Sequence, residues 1–291
     1  MQTGAPSARQ LLRNAVERLT QADIPEPVAS AEVLLAELLC VRRSELVSRE
    51  EPQTNEEIAL YETWISRRLQ REPVQRILGY AYFRNLRLEL DGYTLIPRPD
   101  TESVVDAALE VIESRDDGTC RVLDLGTGSG AIAISLASEQ PSSDVHATDN
   151  SESSLRVARR NAVRTGSKVR FYRTDLFMGL DALLANSVDV LVSNPPYVRS
   201  AQIETLAQEV RDWDPRTALD GGPDGLGFYR RIFAEAAPLL KNMADVVLEV
   251  GDGQAETVLE LGQCAGYEPM GRHTDLTGTP RAVWLRWRSL G

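Results

Sequence analysis

The chain is poor in the residues that most often carry metal and hydrolytic chemistry. Its 291 residues include two histidines, His146 and His273, and three cysteines, Cys40, Cys120 and Cys264. The cysteines are odd in number, far apart and outside CxxC spacing, which fits neither a disulfide framework nor a zinc site. Two imidazoles give too few ligands for histidine-based metal chemistry and poor support for a Ser-His-Asp triad, so no metal is expected. No apolar run approaches the roughly 20 residues that a membrane-spanning helix needs. Residues Met1 to Gln10 lack the apolar core of a secretory signal, and a cytoplasmic protein is expected. Positive charge is also short. The formal net charge of −11 disfavours a broad non-specific grip on nucleic acid, which relies on clustered Lys and Arg. The densest basic stretch is Arg67, Arg68, Arg71, Arg76, Arg84 and Arg87, and a solvated helix face accounts for it better than a binding patch.

The remaining composition is that of a globular protein long enough for one large domain or two modest ones. Ser7 to Leu19 and Pro25 to Leu39 carry apolar residues at helical spacing, such as Leu11, Leu12, Ala15, Val16 and Leu19. Thr54-Asn55-Glu56-Glu57 is a capping-box pattern that opens a third helix running through Arg71. Residues 1–80 are therefore expected to form an all-helical domain. Residues 81–100 read as a hairpin, turning at Asp91-Gly92, and a linker stiffened by Ile96-Pro97-Arg98-Pro99.

From Thr101 to the end, residues 101–291, strands and helices alternate. Strands are expected at Arg121–Leu125, Val145–Thr148, Val169–Arg173, Val188–Ser193, Asp245–Val250, Glu268–His273 and Arg281–Trp287. Helices are expected at Thr101–Glu113, Ser129–Ala137, Ser151–Thr165, Phe228–Leu240 and Gln254–Ala265. Such alternation predicts an α/β domain with a doubly wound, mainly parallel seven-stranded sheet.

Two loops carry the chemistry. Asp124-Leu125-Gly126-Thr127-Gly128-Ser129-Gly130 closes a strand and opens a helix, with glycines that let a ligand approach the backbone. Its GxGxG spacing is not the GxGxxG of dinucleotide folds, and no P-loop Lys-Ser/Thr follows. Asp149 ends the second strand, where a carboxylate accepts from ribose hydroxyls. Asp175 ends the third and is placed to accept from an exocyclic adenine amine, with Leu176 against the ring. A site with ribose and adenine contacts but no phosphate motif suits S-adenosylmethionine better than NAD or ATP.

The second loop, Asn194-Pro195-Pro196-Tyr197, follows the apolar strand Val188–Ser193, at the end where open α/β sheets bind ligands. Two prolines remove two N–H donors and hold the chain extended. The loop thus presents acceptors, the Asn194 side-chain oxygen and the carbonyls of Asn194 and Pro195, beside an aromatic ring. That arrangement suits a planar group bearing an NH2.

With these residues in view, the Asp124–Gly130 turn resembles the first motif of class I S-adenosylmethionine-dependent methyltransferases. Asn194–Tyr197 resembles the motif of enzymes that methylate planar, conjugated nitrogens. Leu95–Glu102, Ala218–Leu226 within Glu209–Tyr229, and Asp275-Leu276-Thr277-Gly278 narrow the resemblance to the HemK-type glutamine methyltransferases. The family usually has a Gly-Gly turn where this chain has Asn242-Met243-Ala244, and more often Glu where Asp100 stands.

The resemblance implies a class I methyltransferase sheet and S-adenosylmethionine as cofactor, held by Asp124, Gly126, Thr127, Gly128, Ser129, Gly130, Asp149, Asp175, Leu176 and Asn194. It implies methylation of the glutamine amide in the Gly-Gly-Gln loop of peptide chain release factors, with the helical domain recognising the release factor. Asn194 and Pro195 would accept the two substrate N–H groups and Tyr197 would pack on the amide plane, with Pro196 completing the substrate contact. Arg98 and Thr101-Glu102 are left between a cofactor contact and a structural tie, and Trp213 and Arg216 are candidates to cover the substrate. No direct nucleic-acid or membrane binding is expected. The competing reading is methylation of an adenine or cytosine amino group, which the same loop would serve.

Overall fold

Two of the first three α-helices begin where a side chain satisfies their free N–H groups, and the other begins with a proline. Helix α1 (Ala8–Gln21) is capped by Ser7, whose hydroxyl accepts from the Gln10 amide while Gln10 reaches back to the Ser7 N–H. Pro27 opens α2 (Pro27–Leu38) at a position where its missing N–H costs nothing. The capping box at Thr54 and Glu57 forms as expected and starts α3 (Asn55–Leu69). Leu11, Ala15 and Leu19 fall on one face of α1 and pack with Leu34, Leu35, Tyr61 and Ile65 in one apolar core.

In this computed structural model, residues 5–49, 51–115, 119–275 and 277–288 are described. The chain divides into two units, Met1–Gly79 with Ala207–Trp213, and Tyr80–Leu206 with Asp214–Gly291. The segment Ala207–Trp213, read from the sequence as part of the second domain, thus packs with the helical one. Arg68 explains how. It is buried, and its guanidinium reaches Ser30, the carbonyls of Pro25 and Glu72, and the carboxylate of Glu209 at 3.2 Å. Arg71 adds a longer contact to the same carboxylate. Arg67 is held by Glu72 at 2.6 Å. The arginine stretch is therefore not a solvated helix face, since three of its members are spent on internal carboxylates. No helix among the described residues is long and apolar enough to cross a membrane.

After the short α4 (Val74–Leu78), the second unit opens with a hairpin, β1 (Tyr80–Phe83) and β2 (Leu86–Glu89). Its turn is Arg84-Asn85, with Phe83 paired to Leu86, not Asp91-Gly92. Arg84 takes up a left-handed φ of 50°. Tertiary contacts hold it there: its N–H donates to Glu102, and its side chain bridges Asp106 and Glu139. These ties outweigh the local turn signal of Asp-Gly. Asp91 instead closes a small turn by accepting from the Tyr93 N–H.

The large sheet alternates with helices: α5 (Glu102–Glu113), β3 (Arg121–Leu125), α6 (Ala131–Glu139), β4 (Asp144–Asp149), α7 (Glu152–Thr165), β5 (Val169–Arg173), α8 (Asp181–Leu184) and β6 (Val188–Ser193). Then come α9 (Gln208–Arg211), α10 (Arg216–Leu219), α11 (Gly227–Glu235), β7 (Leu240–Glu249), α12 (Ala255–Cys264), β8 (Tyr267–Thr274) and β9 (Pro280–Trp287). Strand order is β5-β4-β3-β6-β7-β9-β8, parallel through β7, with β9 antiparallel to both β7 and β8. The expected doubly wound seven-stranded sheet is what forms. Order reverses on either side of β3, so the switch point where such sheets bind ligands lies between β3 and β6.

Two expected boundaries move. Helix α11 stops at Glu235 because Pro238 cannot continue it. Strand β7 starts at Leu240 and is irregular before Asp245, where its register against β6 shifts. In that irregular stretch Met243 has φ +64°, in the left-handed region that glycine occupies without penalty. The Gly-Gly expected here would relieve the strain. Replacing Met243, which is 39% exposed, with glycine should stabilise the protein by about 1 kcal/mol. Thermal melting should show a higher midpoint for M243G, and an unchanged or lower one would contradict the strain.

Candidate active site

The parallel register aligns the C-terminal ends of the strands. Leu125 of β3 pairs with Thr148 of β4 and Ser193 of β6, and Ser193 pairs with Leu248 of β7. The glycine turn, Asp149, Asn194 and Glu249 consequently lie in one row along the sheet edge.

In the turn, Gly126 and Gly128 have φ values of 70° and 57°, which a side chain would disfavour. This conformation aims the Gly128 N–H at the Asp149 carboxylate, 2.9 Å away. The other Asp149 oxygen accepts from the Ser151 N–H at the start of α7. Asp124 lies beneath the turn, fully buried, and accepts from the Thr127 hydroxyl at 2.6 Å. Thr127 donates its backbone N–H to the Thr148 carbonyl, and Asn161 donates to the Ser129 carbonyl.

A cavity of about 250 Å³ opens over this edge. Of the sequence-predicted residues, Gly126, Gly128, Asp149, Asp175, Leu176, Asn194 and Pro196 line it. Asp124, Thr127, Ser129 and Gly130 brace the turn from behind, and Pro195 and Tyr197 also lie outside the lining. Asp175 is half exposed and shares its carboxylate with Arg231 at 3.0 Å. Tyr93, 63% exposed, stands on the rim without having been singled out by the sequence.

Asn194 donates its side-chain Nδ2–H to the Thr101 hydroxyl at 3.1 Å, which leaves the side-chain oxygen as its free acceptor. Among the described residues no donor occupies the Pro195 carbonyl. The loop is seated by the motif that follows it. Val198 and Gly221 exchange backbone bonds with Leu219 and Val198, and Ser200 donates its hydroxyl to Asp220 at 2.6 Å. Gln254 donates to the Tyr197 carbonyl while accepting from the Gly251 N–H. The three residues of the proline crossing that the sequence left open each hold another part of the same unit. Arg98 pairs with the fully buried Asp214 at 2.5 Å, Thr101 holds Asn194, and Glu102 holds the hairpin turn. The Asp275-Leu276-Thr277-Gly278 motif is described apart from Leu276. Asp275 accepts from Thr277, Thr279 and Arg281, and Arg281 in turn faces Asp100.

The sequence missed Glu249. It is the acid that closes β7 in the same register as the residues singled out on the neighbouring strands, and that position was its signal. Only 1% of it is exposed, and burial pushes its carboxyl up to about 7, with the nearby hydroxyls of Thr101 and Tyr197 offsetting part of the shift. Burial likewise raises Asp124 to about 7 against the pull of Thr127. A carboxyl raised in the folded state binds its proton more tightly there than in the unfolded chain. Its contribution is therefore greatest below the unfolded value near 4.5 and is lost as pH climbs through 7. Each unit of raised pKa corresponds to about 1.4 kcal/mol. The melting temperature of an Asp124→Asn variant should accordingly fall less between pH 5 and 8 than that of the native chain, as followed by calorimetry. Parallel curves would refute a protonated Asp124.

Comparison with known proteins places these features in context. Residues 10–79 match the family model described as PrmC N-terminal domain, and 103–212 match the methyltransferase small domain. A release factor glutamine methyltransferase of Streptomyces coelicolor is 41% identical over 94% of this chain and 95% of its own. That of Agrobacterium fabrum is 37% identical over 94% of both chains. Among solved structures, a methyltransferase from Pyrococcus furiosus has a TM-score of 0.52 at 20% identity, covering 71% of this chain and 91% of that one. That likeness speaks for the fold alone.

Proposed function

The chain belongs to the release factor glutamine methyltransferases, S-adenosylmethionine-dependent enzymes that methylate protein, and from this premise we propose that it methylates the side-chain amide nitrogen of the glutamine in the Gly-Gly-Gln loop of peptide chain release factors. The observation that carries the reading is the orientation of Asn194. Its NH2 is spent on Thr101, so its oxygen is available as an acceptor at the cavity edge, and the carbonyl of the next residue, Pro195, has no donor among the described residues.

The residues present fit the cofactor. Backbone approach over Gly126 and Gly128, the Asp149 carboxylate and the apolar Leu176 lie along one wall, suited to a nucleoside with free ribose hydroxyls. When bound, S-adenosylmethionine supplies an electrophilic methyl group. The chain's own task is to orient a poor nucleophile, because the amide lone pair is delocalised into its carbonyl. Asn194 Oδ1 and the Pro195 carbonyl each accept one N–H, fixing the direction of the nitrogen. Positioning alone removes several kcal/mol from such a barrier. As positive charge grows on nitrogen the two acceptors gain strength, so they favour the transition state over the ground state. The proton leaves afterwards to water.

Besides packing on the amide plane, Tyr197 braces the loop: its hydroxyl donates to Glu249 and its ring packs against the core below the loop. We assign recognition of the release factor to the helical unit, and activity to the cytoplasm. The alternative, a base amino group, draws no support from the arginines of residues 67–87: Arg67, Arg68, Arg71 and Arg84 serve carboxylates of their own unit, and Arg87 lies over the Tyr80 ring.

The test is incubation with labelled S-adenosylmethionine and a release factor, beside a variant whose Gly-Gly-Gln glutamine is alanine, with DNA and RNA as parallel acceptors. Label should appear on the native release factor alone. Equal labelling of both release factors, or of nucleic acid instead, would overturn the proposal.

A further inference from the structure

Positive charge is scarce in this chain, yet one stretch collects it. Residues 156–173 carry seven Lys and Arg and no carboxylate, in a chain whose net charge is −11. Residues 67–87, singled out from the sequence as the densest basic stretch, carry six with Glu72 among them. The 156–173 stretch covers most of α7 and all of β5, the edge strand of the large sheet.

On α7, Arg156, Arg160 and Arg164 recur every fourth residue and so form a row along one face, about 12 Å long at a helical rise of about 1.5 Å per residue. All three are exposed. Val163 stands on the same side and is 81% exposed, more than any other large apolar side chain among the described residues. Local carboxylates do not use this charge up. Arg160 and Arg164 share the single carboxylate of Glu89, at 3.5 and 2.7 Å. Arg156 donates to the neutral Ser153 hydroxyl and Arg173 to the Asn150 carbonyl. Exposed Lys168 has no hydrogen-bond or ion-pair partner among the described residues. Charge on an edge strand serves to block edge-to-edge pairing, but a row on a helix face guards no edge.

The same face reaches the cavity. Ser151, which caps α7, and Ser154 in its first turn both line it, as does Asn150, whose carbonyl accepts from Arg173. A protein whose glutamine reaches Asn194 keeps its body outside a cavity of about 250 Å³. Stable protein recognition covers on the order of 800 Å² per partner, so substrate contacts have to extend over the surface around the opening.

We propose that the exposed face of α7, from Arg156 to Lys168, is a docking surface for an acidic segment of the protein substrate, and that it orients the substrate toward the cavity. The inference rests on the function proposed above and adds this contact to the one assigned to the helical unit. Its physical basis is contrast in charge. A net charge of −11 repels an acidic partner at long range, so such a partner is steered to a face that is positive. There the guanidinium groups pair with carboxylates, and Val163 supplies an apolar contact between them. Nucleic acid fits this face less well, because single strands bind basic grooves interleaved with stacking aromatics. The two aromatic rings of the stretch are occupied: Tyr172 stacks on His146, and Phe171 packs against the core.

Two measurements decide it. The double variant Arg156→Glu, Lys168→Glu reverses two exposed charges that hold no carboxylate, and its melting curve should overlay the native one. At low salt its KM for a release factor should rise roughly tenfold, the scale on which charge reversal at an interface rim slows association. Its kcat at saturation and its KM for S-adenosylmethionine should not change. The native KM should itself rise as salt goes from about 50 to about 300 mM and screening shortens the reach of charge, while that of the variant stays nearly flat. A variant KM within about twofold of native, well short of that tenfold, or a native KM indifferent to salt, overturns the proposal.

The second measurement needs no methyl transfer. Two fluorescent probes, a peptide of alternating Glu and Ala and a single-stranded RNA of equal charge, are titrated with the native chain and with the variant, and anisotropy is read. The peptide should bind the native chain, less tightly as salt rises, and bind the variant roughly tenfold more weakly. No binding to the native chain, equal binding to both chains, or RNA bound more tightly than peptide and released by the same substitutions, overturns the proposal. Should the native enzyme leave every release factor unlabelled, the functional reading fails, and the peptide titration still decides whether this face takes an acidic segment.

Discussion

Replacing Asn194 with alanine should lower kcat for release-factor methylation by roughly 10² to 10³, the cost of losing one aimed polar group in a preorganised site. The expectation follows from the direction of the residue. Its NH2 is committed to Thr101, so its oxygen is the acceptor left for a substrate N–H. The Pro195 carbonyl remains in N194A, which is why activity should fall steeply without vanishing. Stability should change little, because Asn194 is only part-buried. The loss belongs in kcat more than in KM, since the interaction strengthens as charge develops on nitrogen. A variant retaining activity within about threefold of native, far short of that range, would remove Asn194 from the chemistry.

Gly221→Ala should disable the same loop from the opposite side. A Cβ at Gly221 would lie 2.7 Å from the Pro196 carbonyl oxygen, 2.8 Å from Tyr197 Cα and 2.9 Å from the Gly225 oxygen. All three are backbone atoms, so no side chain can swing away to make room. The Asn194–Tyr197 loop itself has to move. Overpacking of this kind costs about 1–3 kcal/mol in stability, and displacement of the two acceptors should cost roughly 10²-fold in turnover. Melting curves and kcat measured on the same preparation separate the two effects. Native turnover in G221A would show that the Asp220-Gly221-Gly222 clasp does not position the loop.

Legibility in the sequence followed locality. The capping box at Thr54, the strand Val188–Ser193 and the turn Asp124–Gly130 were readable because each is specified by a few neighbouring residues. The hairpin turn was misplaced because Arg84 is held left-handed by Glu102, Asp106 and Glu139, partners distant in sequence. The ends of α11 and β7 were blurred by an apolar stretch that suits either element, and Pro238 decided between them.

The site divided in the same way. Asn194, Asp149 and the glycines could be found because each has a motif. Glu249 has none. It became visible only when β7 was placed beside β6, in the register that sets Leu248 opposite Ser193 and so Glu249 level with Asn194.

The sequence by itself determined the alternation that makes a doubly wound sheet, the nucleoside-type turn and the proline-stiffened row of acceptors. These depend on period, spacing and backbone restriction, which act within a few residues. Tertiary structure alone decided which way those acceptors face. The orientation of Asn194 depends on the hydroxyl of Thr101, 93 residues earlier in the chain. A side-chain amide takes its direction from the partner that holds it, and folding is what brings that partner to the site.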